Sequence, residues 1–298
     1  MGGRVARLLA RAGHELTVCD PDAAIQRQFA SEGVTTTTTP SECASADVVI
    51  IFVMNGPQAL EVTLGPRGLL QGVSTASPPR VIIMSTIGPE DVRQIAAELA
   101  TKGVRTIEAA VTGGLTLAEQ GRLLLLVGGD PKDIDQVQPL LELMGRKSVR
   151  CGPLGSGLTA KILNNMLGTS NMYLMQECYR LGLAHGLEPR TVAAILEDGA
   201  GQNFWTRDPH DTLVQLDLLS RQPQYFATVL TASAKDWRLA IQLADQVGMA
   251  LPFLGAMIAA VSSVEASTLH AQWRRFVDQG MTHTKSESRG NQLGDEHE

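Results

Sequence analysis

From Met1 to about Cys151, short apolar runs alternate with stretches in which apolar residues return every three or four positions. Val5, Leu8, Leu9 and Ala12 share one face at helical spacing, and Gly13 reads as the stop of that helix. The apolar runs predict strands over residues 16–19, 47–53, 80–84, 104–108, 122–127 and 148–151, with helices such as 90–102 and 131–144 between them. "DVVIIFV" and "LLLLVGG" are apolar on both faces, the mark of strands in a parallel sheet covered by helices on both sides. "TTTTT" at 35–39 reads as a strand and turn. Residues 1–152 are therefore expected to form a Rossmann-type, doubly wound α/β domain.

After Cys151 the strand signal stops. "GPLGSG" is a turn, and helical patterns follow over 157–185, 189–196, 211–219, 226–247 and 252–271. This predicts an all-α domain over 153–277, its first helix long enough to brace both halves. The remainder, 278–298, has almost no apolar content and is expected to be disordered.

Composition narrows the partners. The net charge of −6 and pI of about 5.6, with no basic stripe, argue against nucleic acid and anionic membrane surfaces. The four cysteines show no CxxC pair and no metal-like spacing with histidine, which predicts structural thiols in a reducing cytosol and no metal site. Arg4, Arg7 and Arg11 interrupt any signal-peptide core, and no run of about 18 uncharged apolar residues predicts a membrane span. The expected location is cytoplasmic.

Candidate chemistry concentrates in four places. The opening "MGGRVARLLARAGHELTVCD" reads as the second half of a nucleotide-binding βαβ unit. Gly2 is the remnant of its glycine turn, and Asp20, 18 positions later, ends a strand where a carboxylate can accept both ribose hydroxyls of an adenosine. That carboxylate would repel a 2′-phosphate and so favours NAD over NADP. "DPDAA" is also a helix N-cap sequence, so a plain turn role stays open for Asp20.

Three small glycine-bearing turns follow successive strands: "VMNGP", "MSTIGP" and "EAAVTGGL". Ligands bind at such carboxyl ends in open α/β sheets. Met54 and Asn55 stand in the first of these turns, and Ser85 and Thr86 in the second could hydrogen-bond a ribose or nicotinamide amide; any one turn taken alone also reads as an ordinary βα connection. Thr112, Gly113 and Gly114 offer a hydroxyl and two amides to a substrate carboxylate. In "GSGLTAKILNNMLG", Lys161, Asn164, Asn165 and Gly168 stand at i, i+3, i+4 and i+7 on an otherwise apolar helix. Such polar groups are costly there unless paired or solvated in a cleft, and a partly desolvated lysine suits proton transfer near neutrality. A snorkelling lysine is the plainer alternative. In "TASAKDWRLA", Lys235 could reach a cofactor and Asp236 could steady a lysine, or the two form a surface ion pair.

Taken in order and at their separations, "MGGRVARLLARAGHELTVCD", "STIGP", "EAAVTGGL…GRLLLLVGG", "GPLGSGLTAKILNN" and "AKDWRLA" resemble the β-hydroxyacid dehydrogenases, the group that includes 3-hydroxyisobutyrate dehydrogenase. The resemblance covers residues 1–260. It implies a nicotinamide cofactor, a small 3-hydroxy acid as substrate, exchange with its semialdehyde, and a homodimer or homotetramer built through the helical domain. It also implies Lys161 as the acid–base lysine, Asn165 beside it on the substrate, and Thr112, Gly113 and Gly114 on the substrate carboxylate. Thr86 would lie by the nicotinamide ribose and Lys235 would make a late cofactor contact.

The sequence departs from the family pattern at three points. The chain opens at the end of the glycine motif, so about ten residues with one strand and two glycines are expected to be missing, which would weaken the pyrophosphate cradle. The usual Leu-Pro of the adenine-side turn reads Met54-Asn55, and "STLHAQWRRFVDQG" lacks the expected acidic ending. Two further readings compete: a catalytically impaired cofactor-binding relative, and a reductase of a larger sugar acid or an imine. The substrate's far end is expected near Leu115, Gln202, Phe204 and Trp205.

Overall fold

The computed structural model of the protein describes residues 1–206 and 209–278. The expected disordered tail lies outside the described residues apart from Asp278. Two compact units divide the chain, Met1–Ile162 and Leu163–Glu298.

The first unit contains strands β1 (Thr17–Cys19), β2 (Thr35–Thr37), β3 (Val48–Ile51), β4 (Arg80–Ile83), β5 (Arg105–Thr112), β6 (Leu123–Gly128) and β7 (Gly145–Gly152). Helices α1 (Gly2–Arg11), α2 (Ala23–Ser31), α3 (Gly56–Leu64), α4 (Leu69–Gly72), α5 (Pro89–Ala100), α6 (Gly114–Glu119) and α7 (Pro131–Met144) alternate with them. The double-sided apolar pattern does what it predicts. Val81 and Ile83 of β4 share a core with Val92, Ile95 and Leu99 of α5. Their neighbour Ile82, pointing the other way, packs with Val5 and Leu9 of α1 and with Ile134, Val137 and Leu141 of α7. Helices thus cover both faces of the sheet, and the fold is the expected Rossmann-like α/β arrangement followed by helices.

Two details differ from the expectation. The sheet is not parallel throughout: β3, β4 and β5 run parallel, but β6 returns antiparallel to β5 before β7 pairs parallel to β6. Residues 113–122 hold only the short helix α6, and a parallel return needs a crossover of a dozen or more residues. The strands also form two sheets, β1-β2 and β3-β4-β5-β6-β7. The break falls where doubly wound order places its first strand, between the strands that β1 and β3 represent.

Helix α8 (Ser156–Ala184) begins in the first unit, and the division between the units falls within it. The second unit continues with α9 (Pro189–Asp198), α10 (Pro209–Ser220), α11 (Pro223–Gln246), α12 (Pro252–Ser262) and α13 (Ala266–Asp278). The single helix expected over 252–271 is in fact α12 and α13, bent by 94°. The bend follows Ser262 and Ser263, where the Ser263 hydroxyl donates to the Ala260 carbonyl, and it lets α13 bury Trp273, Phe276 and Val277. Trp273 sits edge-on against Tyr173 of α8 (5.8 Å between ring centroids) and Phe226 of α11 (5.1 Å). Tyr173 also meets Trp237 at 5.2 Å, and Tyr179 meets Phe276 at 4.7 Å. The unusual C-terminal segment therefore supplies core aromatics to the helical unit. No single helix among the described residues is long and apolar enough to cross a membrane.

Candidate active site

Because β3, β4 and β5 are parallel and in register, the turns that follow them leave the sheet at one edge. After β3, Met54 is half exposed and its N–H donates to Gln58 Oε1 at 2.9 Å. Asn55 is the N-cap of α3, its Oδ1 accepting from Gln58 N–H at 2.9 Å, which explains why asparagine serves in this turn. After β4, Thr86 is half-buried. Ser85 is not available to a ligand. It is 1% exposed, and its hydroxyl donates to the Ile51 carbonyl while accepting from Val53 N–H at 2.7 Å, tying β4 to β3.

Strand β5 runs four residues past its expected end, so that Thr112 is its last residue rather than part of a loop. Gly113 and Gly114 then take φ of +136° and +81°, conformations that side chains with a Cβ rarely adopt, and both amides sit at the turn into α6.

At the adenosine end, Asp20 directly follows β1. Its Oδ1 accepts from Asp22 N–H at 2.9 Å, and Asp22 in turn caps α2 through Ala24 N–H at 2.7 Å. The turn role and a ligand role are compatible here, since the carboxylate has a second oxygen. Gly2 opens α1 with no side-chain cap on that helix, and a Cβ at Gly2 would press on Phe52 at 3.2 Å. An uncapped helix start suits an anion such as a pyrophosphate, and a strand-end carboxylate suits the hydroxyls of a ribose.

Lys161 lies in the second turn of α8 and is only 7% exposed, between the fully buried Leu158 and Ile162. A charged side chain this deep has a specific local environment, and a snorkelling surface lysine does not describe it. Asn165 follows one turn later. Its Nδ2 donates to Asp236 Oδ2 at 2.6 Å, and Asp236 pairs through Oδ1 with Lys235 Nζ at 2.8 Å. The residues named separately as "ILNN" and "AKDW" thus form one polar cluster across α8 and α11, with Asp236 buried. Trp205, placed by sequence near the substrate's far end, donates its indole N–H to the Gly168 carbonyl at 2.7 Å and stacks edge-on with Phe204.

One polar residue escaped the sequence reading. Glu108 is a carboxylate in the otherwise apolar "IEAAV" of β5 and is wholly buried. Its Oε1 accepts from the N–H groups of Gly155 (2.9 Å), Gly157 (2.6 Å) and Leu158 (3.3 Å) at the start of α8. Burial raises its pKa above the usual carboxylate range, and the three amides only partly oppose that rise. The signal was present in the sequence as an isolated acid in a core strand together with a turn rich in glycine.

Comparison with known proteins bears on the family of the chain. The profile of the NAD binding domain of 6-phosphogluconate dehydrogenase matches residues 1–152. The profile described as NAD-binding of NADP-dependent 3-hydroxyisobutyrate dehydrogenase matches residues 155–273. The mitochondrial "Probable 3-hydroxyisobutyrate dehydrogenase" of Arabidopsis thaliana is 30% identical over 267 residues, which is 85% of this chain and 77% of that one. The mitochondrial 3-hydroxyisobutyrate dehydrogenase of Mus musculus is 34% identical over 71% of this chain, which spans 62% of the mouse protein's length. Among solved structures, Mycobacterium tuberculosis 3-hydroxyisobutyrate dehydrogenase with L-serine superposes with a TM-score of 0.71 at 24% identity, covering 93% of this chain and 94% of that one. From its NAD(P)-binding domain, its helical second half and these relatives, the chain belongs to the β-hydroxyacid dehydrogenase family of oxidoreductases that act on CH–OH groups.

Proposed function

We propose that the protein is an NAD-dependent dehydrogenase that interconverts a small 3-hydroxy acid and its semialdehyde, with Lys161 as the general acid and base. The observation that carries this reading is the burial of Lys161 on α8 one turn before Asn165. A lysine held out of bulk water, beside an amide that can orient a hydroxyl, suits proton transfer to and from an alcohol oxygen.

The bound nicotinamide supplies the acceptor or donor of the hydride. In oxidation, Lys161 Nζ as the neutral amine accepts the hydroxyl proton of the substrate while the carbon gives up hydride. In reduction, the ammonium returns that proton to the forming alcohol. Asn165 holds the reacting oxygen, and its bond to Asp236 fixes which way its amide faces. Thr112 with the Gly113 and Gly114 amides suits the substrate carboxylate, since two left-handed glycines bring backbone N–H groups close to an anion. For the cofactor, Gly2 suits the pyrophosphate end, Asp20 the adenosine ribose, Met54 and Asn55 the adenine side, and Thr86 the nicotinamide ribose. Lys235 is a further cofactor contact in this reading. Residues 1–152 form its NAD-binding part and 153–277 its substrate and assembly part, in a cytoplasmic homodimer or homotetramer.

Lys161→Ala should lower kcat by about 10²- to 10⁴-fold, the usual contribution of a positioned acid–base group, while NADH affinity by fluorescence stays within about twofold. The Asp20 carboxylate should make NADH bind more tightly than NADPH in the same assay. Turnover retained in Lys161→Ala would overturn the assignment.

A further inference from the structure

The start of α8 is held in an unusual way. Helices commonly cap their first amides with a side chain from the residue just before them, which satisfies the amides but leaves the helix able to pivot as a body. Here the acceptor comes from a strand of the sheet 47 residues earlier in the chain, and one oxygen takes three amides. Such a cap fixes the helix to the sheet.

The surroundings are shaped around that one oxygen. A Cβ at Gly128 would lie 2.3 Å from Glu108 Oε1, and one at Gly157 would lie 2.5 Å from the Leu126 carbonyl. Gly155, with φ +100°, makes the turn that presents the amides. Two of these glycines belong to the "GPLGSG" turn, whose composition the reaction itself does not explain. The second oxygen, Oε2, is buried and has no hydrogen-bond partner among the described residues. Burying an acid here is costly, and the three amides with the positive end of the helix dipole offset part of that cost.

Lys161 follows Gly157 by four residues, roughly 6 Å along the helix axis. We propose that Glu108 is the positioning residue for Lys161: its carboxylate pins the first turn of α8 to β5 and so sets where the lysine amine stands. This rests on the reading of Lys161 as the acid–base group, but it can be tested apart from it.

The test compares the wild-type protein with Glu108→Gln, which keeps the shape and one acceptor oxygen, and Glu108→Asp, which keeps the charge but withdraws the oxygen by one methylene. Three quantities are read: hydrogen exchange of the peptide covering residues 153–160, the rate at which Lys161 is reductively methylated, and steady-state kinetics with NADH affinity. Both variants should lose protection at 155–158 by at least tenfold with β6 unchanged, and should methylate Lys161 at least tenfold faster. They should also lower kcat at least tenfold with KM and NADH affinity within twofold. Unchanged protection or unchanged Lys161 reactivity in both variants overturns the proposal. So does a fall in kcat that comes with equal losses in KM, NADH affinity and β6 protection, which would mark a merely structural role. If wild type and Lys161→Ala turn over alike, the functional reading fails, and exchange and methylation still decide whether Glu108 places the lysine.

Discussion

The two units place their polar groups by opposite rules. In the α/β unit, strands β3, β4, β5 and β6 are apolar on both faces, and their polar side chains stand at strand ends or, as with Glu108, against a helix start. In the helical unit, the core is a stack of aromatic rings from α8, α11 and α13, with large apolar side chains left on the outside: Leu163 is 55% exposed, Leu167 61% and Phe253 90%. The first unit is organised by a sheet that leaves its chemistry at one edge. The second is organised by ring packing, with polar clusters such as Asn165–Asp236–Lys235 set into it. Stability and chemistry are therefore separable in different ways on the two sides of Ile162.

That contrast can be pressed by mutation. Trp273→Ala removes a fully buried ring that touches Tyr173 and Phe226, and should cost about 3–5 kcal/mol, seen by calorimetry as a lower melting transition of the helical unit. NADH binding should persist at temperatures below that transition, and its loss would show that the units are not separable. Gly128→Ala forces a methyl group against Glu108 Oε1 and should cost about 1–3 kcal/mol in the α/β unit, by denaturant midpoint.

The smallest effect, and the one that discriminates most finely, is on pH. Burial raises the Glu108 pKa from its ordinary 4.5, so the folded state binds its proton more tightly than the unfolded chain does. Its contribution is then full below 4.5 and is lost as pH rises through the raised folded value. In the helical unit Asp217 goes the other way. Burial works against its ionised form, but hydrogen bonds from Arg274 and Arg221 outweigh that and hold its pKa below 3.8. Its contribution is present above 3.8 and is lost as pH falls through the lowered value. Stability of wild type relative to Glu108→Gln should therefore decline as pH rises above about 4.5, and relative to Asp217→Asn should decline in acid below about 4. Parallel pH curves for the two pairs would contradict the assignment.

Apolar periodicity reports how deeply a residue is buried, and so the strands, the long helices and the two-part organisation were legible in it. It does not report a strand's neighbour. "LLLLVGG" looks the same whether β6 runs with β5 or against it, and only the shortness of residues 113–122 carried the answer. The break between α12 and α13 was hidden for a related reason, because Val264 continues the apolar spacing across a turn. Lys161 and Asn165 could be found because one helix holds both at i and i+4. Glu108 could not be found that way, since its partners lie 47 to 50 positions downstream and are backbone amides, which leave no trace in residue type beyond the glycines that make room for them.

The length of α8 has a consequence for how this sequence can vary. Each residue turns an α-helix by about 100°, so one residue gained or lost between Asn165 and Tyr173 would swing one of the two a quarter-turn or more away from α11, which both now meet. Either Asn165 would lose Asp236 or Tyr173 would leave Trp237 in a single step. Substitution is open to this helix at many positions, but its length between those points is as constrained as the teeth of a gear.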